Sequence, residues 1–122
     1  MRVFSFEKLI TCQKGRELAI SNYKASKKFP KYEVFGLTSQ MKRCTISIAS
    51  NLAEGSGRNS FKDKVRFTKI AYSSSLELLN QVILCNYFEY INKNEYIQIR
   101  EKITEVNMLI DGLYKSQKAN IK

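Results

Sequence analysis

The sequence predicts an all-α fold, an antiparallel up-down-up-down four-helix bundle that fills one domain over residues 1–122. Three observations carry that expectation. Apolar residues recur at steps of three and four along four segments, the repeat of a single helix face. No segment alternates apolar and polar residues with period two, so strands are not supported. The connections between segments are all shorter than about ten residues, a length that favours antiparallel neighbours.

The first helix is predicted over residues 6–28. Ser5 is placed to cap it, and Phe29-Pro30 to end it, because proline disfavours helical backbone in the residue before it. Its inward line reads Leu9, Cys12, Ala19 and Tyr23, interrupted by Arg16. The second helix is predicted over 38–54, after the connector KYEVFG. Leu37, Met41, Cys44, Ile48 and Leu52 form its apolar stripe, and Gly55 is expected to supply a left-handed C-terminal cap.

Ser60 opens the third helix, predicted over 60–91, and with Asp63 resembles a capping box in which Asp replaces the usual Glu. Asn92 and Glu95 give the next start signal, for a helix over 93–116. Tyr96, Ile99, Ile103, Val106, Ile110 and Leu113 step by 3, 4, 3, 4 and 3, a seam suited to knobs-into-holes packing. Lys115 to Lys122 are expected to fray.

Composition narrows the class. A chain of 122 residues buries roughly two-thirds of its unfolded surface and needs neither disulfide nor metal to fold. Cys12, Cys44 and Cys85 are odd in number and lie in apolar helical stretches, which reads as reduced core thiols in a cytoplasmic protein. The N-terminal stretch has Glu7 and Glu17 and no long apolar run, so a signal peptide is not expected, and neither is a membrane span.

Charge is uneven. Residues 1–69 hold 15 Lys or Arg against 5 acids, while residues 70–122 hold 6 against 6, so the net +10 belongs to the first part. Such asymmetry suggests a polyanion-facing surface, most often nucleic acid. A basic surface kept for solubility is the plainer reading of the same numbers.

Little in the chain suggests catalysis. Histidine is absent, which removes the commonest general base and metal ligand and with it the Glu-x-x-His pattern of di-metal bundles. Glu54, Glu77 and Glu89 are the carboxylates that a cation would have to use, and solvated or paired glutamates are the commoner case. Gly55-Ser56-Gly57-Arg58 precedes a helix but follows another helix, and lacks the spacing and lysine of a phosphate loop. No catalytic residue, metal or cofactor is therefore expected.

Two polar arrangements remain. Gln40, Arg43, Ser47, Asn51 and Glu54 share one face of the second helix, and Ser73, Ser74, Ser75 and Glu77 occupy the middle of the third. They are either a solvated face or a hydrogen-bonded network at a helix or subunit contact. The cations also align: Arg58, Lys62, Arg66 and Lys69 run along the start of the third helix, and Lys24, Lys27, Lys28 and Lys31 surround the end of the first. Lys42 and Arg43 follow in the second helix. An antiparallel bundle puts the two groups at opposite poles, and an oligomer would repeat each as a ring. Aromatics interleaved with the basic residues are few, Phe61 and Phe67, so base stacking and sequence-specific readout get little support.

The segments FEKL, FPKYEVFGLTSQMKRCTISIASNLAEGSGR and FTKIAYSSSLELLNQV resemble the small bacterial four-helix-bundle proteins encoded in intervening sequences of large-subunit rRNA genes. The resemblance spans nearly the whole chain and is densest from Phe29 to Val82, with the run from Ser47 to Gly55 and the set Ala71, Ser74 and Glu77 as its most specific parts. Ala49 stands where the family often has proline, and Cys12 where an aromatic is frequent. The family is similar to accessory variability proteins of diversity-generating retroelements. The resemblance implies a homopentamer, an rRNA- or retroelement-related setting, and no established enzymatic activity. It implies structural or subunit-contact roles for Gln40, Arg43, Ser47, Asn51, Glu54, Gly55, Ser74 and Glu77. The expected partners are a second copy of the chain, RNA or DNA, or an acidic protein, and no membrane.

Overall fold

The computed structural model describes residues 1–122. The first predicted helix is two. A single turn, α1 (Ser5–Lys8), ends at Leu9, whose φ of −70° and ψ of 123° are extended, and α2 (Ile10–Ser26) begins immediately after it. The break is stabilised by side chains. The carbonyl of Glu7 accepts from Gln13 Nε2 at 3.2 Å and from Arg16 at 3.0 Å, while Glu7 reaches back to the Phe4 N–H at 2.7 Å. Arg16, which interrupts the expected apolar line, is an exposed cap for the free end of α1.

A 3₁₀ turn (Lys31–Glu33) leads to α3 (Leu37–Ser56), followed by α4 (Phe61–Tyr87) and α5 (Lys93–Ala119). Ser60 caps α4 by accepting from the Asp63 N–H at 3.1 Å, and Asn92 with Glu95 forms a complete capping box on α5. Helix α3 runs unbroken through Ala49, consistent with alanine in place of a helix-bending proline. The helix predicted to end at 116, with fraying from Lys115, extends three residues further, and only Asn120 to Lys122 lie beyond it. Helix α5 continues to Ala119 because Gln117 is buried and accepts a hydrogen bond from Thr68 at 2.6 Å.

The pairings define the topology. Met41 lies opposite Cys85, Ser47 opposite Ser74 and Gly55 opposite Phe67, so α3 and α4 are antiparallel. Thr68 with Gln117 and Ser75 with Asn107 make α4 and α5 antiparallel. Lys14 with Glu105 and Lys28 with Glu95 do the same for α5 and α2. Gly15 beside Leu52 and Tyr23 beside Lys42 complete the cycle between α2 and α3. Among the four long helices the backbones of cyclic neighbours approach closely and those of the diagonal pairs do not. The upper pole holds the end of α2, the start of α3, the end of α4 and the start of α5. The lower pole holds the opposite ends, together with α1.

Between them lies one core, with Leu18, Met41, Ile48, Leu52, Leu78, Val82, Ile103 and Ile110 almost wholly buried. Each such side chain contributes about 1.5–3 kcal/mol relative to exposure. The predicted seams of α3 and α5 line this core. The inward face of α2 differs from expectation: Tyr23 is half-exposed, and Gly15, Leu18, Asn22 and Ser26 face inward with Cys12. A Cβ added at Gly15 on this face would be in ordinary contact with Leu52 of α3 at 3.4 Å.

Candidate nucleic-acid interface

The ends of the helices set the positions of the cations. Lys24, Lys27, Lys28, Lys31, Lys42 and Arg43 are all exposed and lie at the upper pole. Lys24 and Lys28 line a groove of about 210 Å³ between α2 and α5, with Lys102 on its far wall. Glu95 is in the same groove, 3.2 Å from Lys28. The N–H of Asn92 first, and then Lys28, hold its carboxyl below the ordinary range, so it stays ionised and offsets one lysine. Lys27 and Lys42 both stand over the ring of Tyr23, at 4.6 and 5.4 Å from its centroid. Two like charges thus stand at the same ring across the α2–α3 boundary.

The second group is at the lower pole. Arg58 is 2.8 Å from Glu54 and stacks 4.5 Å from the centre of the Phe67 ring. Arg66 pairs loosely with Asp63 at 3.6 Å, and Lys69 approaches the Tyr114 ring at 5.8 Å. Lys62 is exposed beside the chain terminus, in a cleft shared with Asn120 and Lys122. These pairs are solvent-exposed and contribute little to stability, so the charges remain available to an anionic partner. Lys64 is different. Its ammonium donates to the carbonyl of Ser56 at 2.8 Å and closes the end of α3, so it belongs to the fold, although it lies among the stripe residues in sequence.

The two groups do not form one surface within a single chain. The body of the bundle separates them, with Cys44, Ile48, Ala71 and Leu78 buried in its middle.

The polar stripe of α3 divides. Gln40, Arg43 and Glu54 are exposed, whereas Ser47 and Asn51 sit in the α3–α4 contact. Ser47 and Ser74 hydroxyls are 2.9 Å apart, and Asn51 donates to the carbonyl of Ser47 at 2.8 Å. Ser74 and Ser75 are adjacent on α4 and about 100° apart around it, so they address different neighbours. Ser74 faces α3, while Ser75 accepts from Asn107 of α5 at 2.8 Å. Ser73 and Glu77 remain exposed.

Gly55 has a different role from the one expected. No glycine in the chain has a positive φ, and Gly55 is inside α3, buried, with the helix ending one residue later at Ser56. A Cβ on it would stand 2.8 Å from Cβ of Phe67, so glycine is required by the approach of α4. The left-handed position is elsewhere. Glu89, after α4, has φ of 61° and directs a Schellman closure in which Tyr90 N–H bonds Cys85 O at 2.9 Å and Glu89 N–H bonds Asn86 O at 3.2 Å.

The carboxylates considered for a cation are dispersed. Glu54 is at the lower pole, Glu89 at the upper, and Glu77 lies between them. The three cysteines are free and buried. Desolvation raises the Cys12 thiol, and pushes Cys44 up to about 11 and Cys85 up to about 12. No helix is long and apolar enough to cross a membrane.

The sequence reading missed a cluster at the upper pole. Tyr90 is the hub, with ring centroids of Phe29, Tyr32 and Phe88 at 5.8, 6.4 and 5.6 Å. Its hydroxyl donates to Glu33 at 2.8 Å and lies 3.1 Å from that of Tyr32. The Tyr32 contact, then burial and the Glu33 carboxylate, hold the Tyr90 phenol above its ordinary range. Nothing in local spacing could have found this group, because its rings come from two connectors more than fifty residues apart.

A crystal structure of a protein of unknown function from the S23 ribosomal protein family, from Bacteroides thetaiotaomicron VPI-5482, is similar to this chain with a TM-score of 0.81 and 25% identity. The match covers 87% of this chain and 96% of that one. No curated protein matches the sequence. A family model described as 23S rRNA-intervening sequence protein matches residues 7–112. That match spans α2 to α5 almost completely, with the core seams and the Ser47–Ser74 contact inside it, and the chain belongs to the 23S rRNA-intervening sequence protein family.

Proposed function

We propose that the protein is a non-enzymatic, oligomeric helical bundle of the cytoplasm that binds RNA or DNA through its two basic poles, in an rRNA-related setting. The observation that carries this reading is the placement of charge. Of the 15 cations in residues 1–69, ten lie at the helix ends in two exposed groups. Binding of this kind is driven by counterion release from phosphates, so log affinity falls linearly with log salt, with a slope of about −0.9 per phosphate neutralised on duplex.

Self-association is supported by apolar side chains left on the flanks. Ile46 is 61% exposed and Met108 is 68% exposed, on helices whose other faces are packed. Repetition of each pole around a ring would multiply phosphate contacts without any new site.

The test is salt-dependent binding of structured RNA and duplex DNA, with an Arg58→Glu/Lys62→Glu/Arg66→Glu variant as control. The expected result is a steep salt slope that becomes shallower in the variant. Binding that is absent at low salt, or indifferent to salt, sinks the reading. A scaffold that docks an acidic protein is the second reading. Retention of protein partners after nuclease treatment of a lysate, with no bound nucleic acid, would favour it. Light scattering that finds a monomer at micromolar concentration would remove the oligomer.

A further inference from the structure

We propose that the upper pole is a stacking platform for an unpaired nucleic-acid strand. This rests on the nucleic-acid reading above and narrows it from polyanions in general to strands whose bases are free.

The observation is a set of exposed aromatic rings at the pole that also carries six exposed cations. Tyr32 is 77% exposed, Phe35 95%, Tyr87 77% and Phe88 52%. Single exposed rings are ordinary, but here four occur at one end of a small bundle, and two of them, Tyr32 and Phe88, pack on the common ring of Tyr90. They come from the α2–α3 connector and the end of α4, which the antiparallel topology brings to the same pole.

Tyr32 and Phe88 are held in place. Both rings pack on Tyr90, and the Tyr32 and Tyr90 hydroxyls meet above Glu33. Fixed rings lose little conformational freedom when a base stacks on them, which favours binding. The electrostatics agree. Residues 22–43 carry six cations against the one acid Glu33, and residues 81–95 carry Lys93 against Glu89 and Glu95, a balance of seven against three.

Rings among cations suit one ligand chemistry in particular. Bases stack on the rings while phosphates lie along the lysines, and paired bases within a duplex cannot present their faces in this way. The lower pole has cations and fewer exposed rings, Phe4 at 49% and Phe61 at 41%, with the Phe67 ring covered by Arg58. The two poles therefore differ in degree of aromatic exposure.

The experiment compares a fluorescein-labelled oligoadenylate RNA with a duplex of the same length, at low salt, by anisotropy. The variant Phe35→Ser/Tyr87→Ser removes two rings that take no part in the Tyr90 cluster, so the fold is retained and is checked by its melting curve. The chain has seven tyrosines and no tryptophan, so quenching of tyrosine emission by the strand reports stacking directly. The expected result is a single-strand affinity that falls about five- to a hundredfold per ring lost, with duplex affinity unchanged. A Lys27→Gln/Lys31→Gln variant should weaken both ligands.

Single-strand binding that survives loss of the rings overturns the platform while leaving the phosphate-binding reading intact. A ring variant that changes the sedimentation of the free protein also overturns it, by making the rings a subunit contact. Failure of both ligands to bind removes the two readings together.

Discussion

Gly55 in α3 lies so close to Phe67 in α4 that a Cβ added to the glycine would stand 2.8 Å from the phenylalanine Cβ. The obstructing atom is fixed to the α4 backbone, so no rotamer change relieves the clash. Gly55→Ala gains helix propensity of about 1 kcal/mol and loses more through overpacking, about 1–3 kcal/mol. A net destabilisation is expected in urea unfolding. Gly112, in the exposed part of α5, has nothing within 4 Å of an added Cβ, and Gly112→Ala should stabilise by about 1 kcal/mol. If both substitutions act in the same direction, the close approach of α3 and α4 is not what Gly55 serves.

Glu89 occupies the left-handed position that closes α4, at φ of 61°. An L-residue there costs about 1–2 kcal/mol relative to an unstrained conformation, and glycine does not carry this cost. Glu89→Gly should therefore raise the unfolding midpoint, by about 1 kcal/mol in free energy. A decrease would mean that the glutamate side chain contributes more than its backbone costs.

Gln117 ties the last turns of α5 to α4. Its buried amide oxygen accepts from Thr68, whose hydroxyl also reaches the carbonyl of Lys64 at 3.0 Å. Gln117→Ala should cost about 1–2 kcal/mol and open residues 113–119 to hydrogen exchange. Removal of Ile121 and Lys122 alone should leave both measurements unchanged.

The thiols set an alkaline limit. An ordinary thiol ionises near 9.0, whereas burial holds Cys44 neutral to about 11 and Cys85 to about 12. Above pH 9 the unfolded chain binds fewer protons than the folded one, so stability falls as pH rises, until the folded values are passed. Each thiol contributes about 1.4 kcal/mol of loss per pH unit within that window, and nothing below it. A Cys44→Ala/Cys85→Ala variant should show a shallower decline between pH 9 and 11 in chemical denaturation. Equal slopes would show that the cysteines are not responsible.

Properties of a single helix were readable from the sequence. The seam from Ile99 to Ile110 and the caps at Ser60 and Asn92 depend on residues three or four positions apart, and the chain folds them as their spacing requires. The basic stripes were readable for the same reason, since each is a local run. The end of α5 was misread because Gln117 looks like any terminal polar residue until Thr68 is opposite it. Likewise a glycine near a helix end can be a left-handed cap or a point of close approach, and for Gly55 only the position of Phe67 decides.

By itself, then, the sequence determined the helical class, most helix starts and the excess of positive charge, because these follow from local periodicity, capping residues and composition. The helix ends, such as Tyr87 where 91 was expected, were set by the packed structure. The tertiary structure alone decided which side chains meet. It split the polar face of α3 into a half-buried, hydrogen-bonded pair, Ser47 and Asn51, and exposed ends. It turned Asn22 and Ser26 inward in place of Tyr23, and it joined Phe29 and Tyr32 to Phe88 and Tyr90 across the upper pole. The physical reason is common to all three: packing and stacking act through space between helices, and the periodicity of one helix carries no information about the residue that faces it from another.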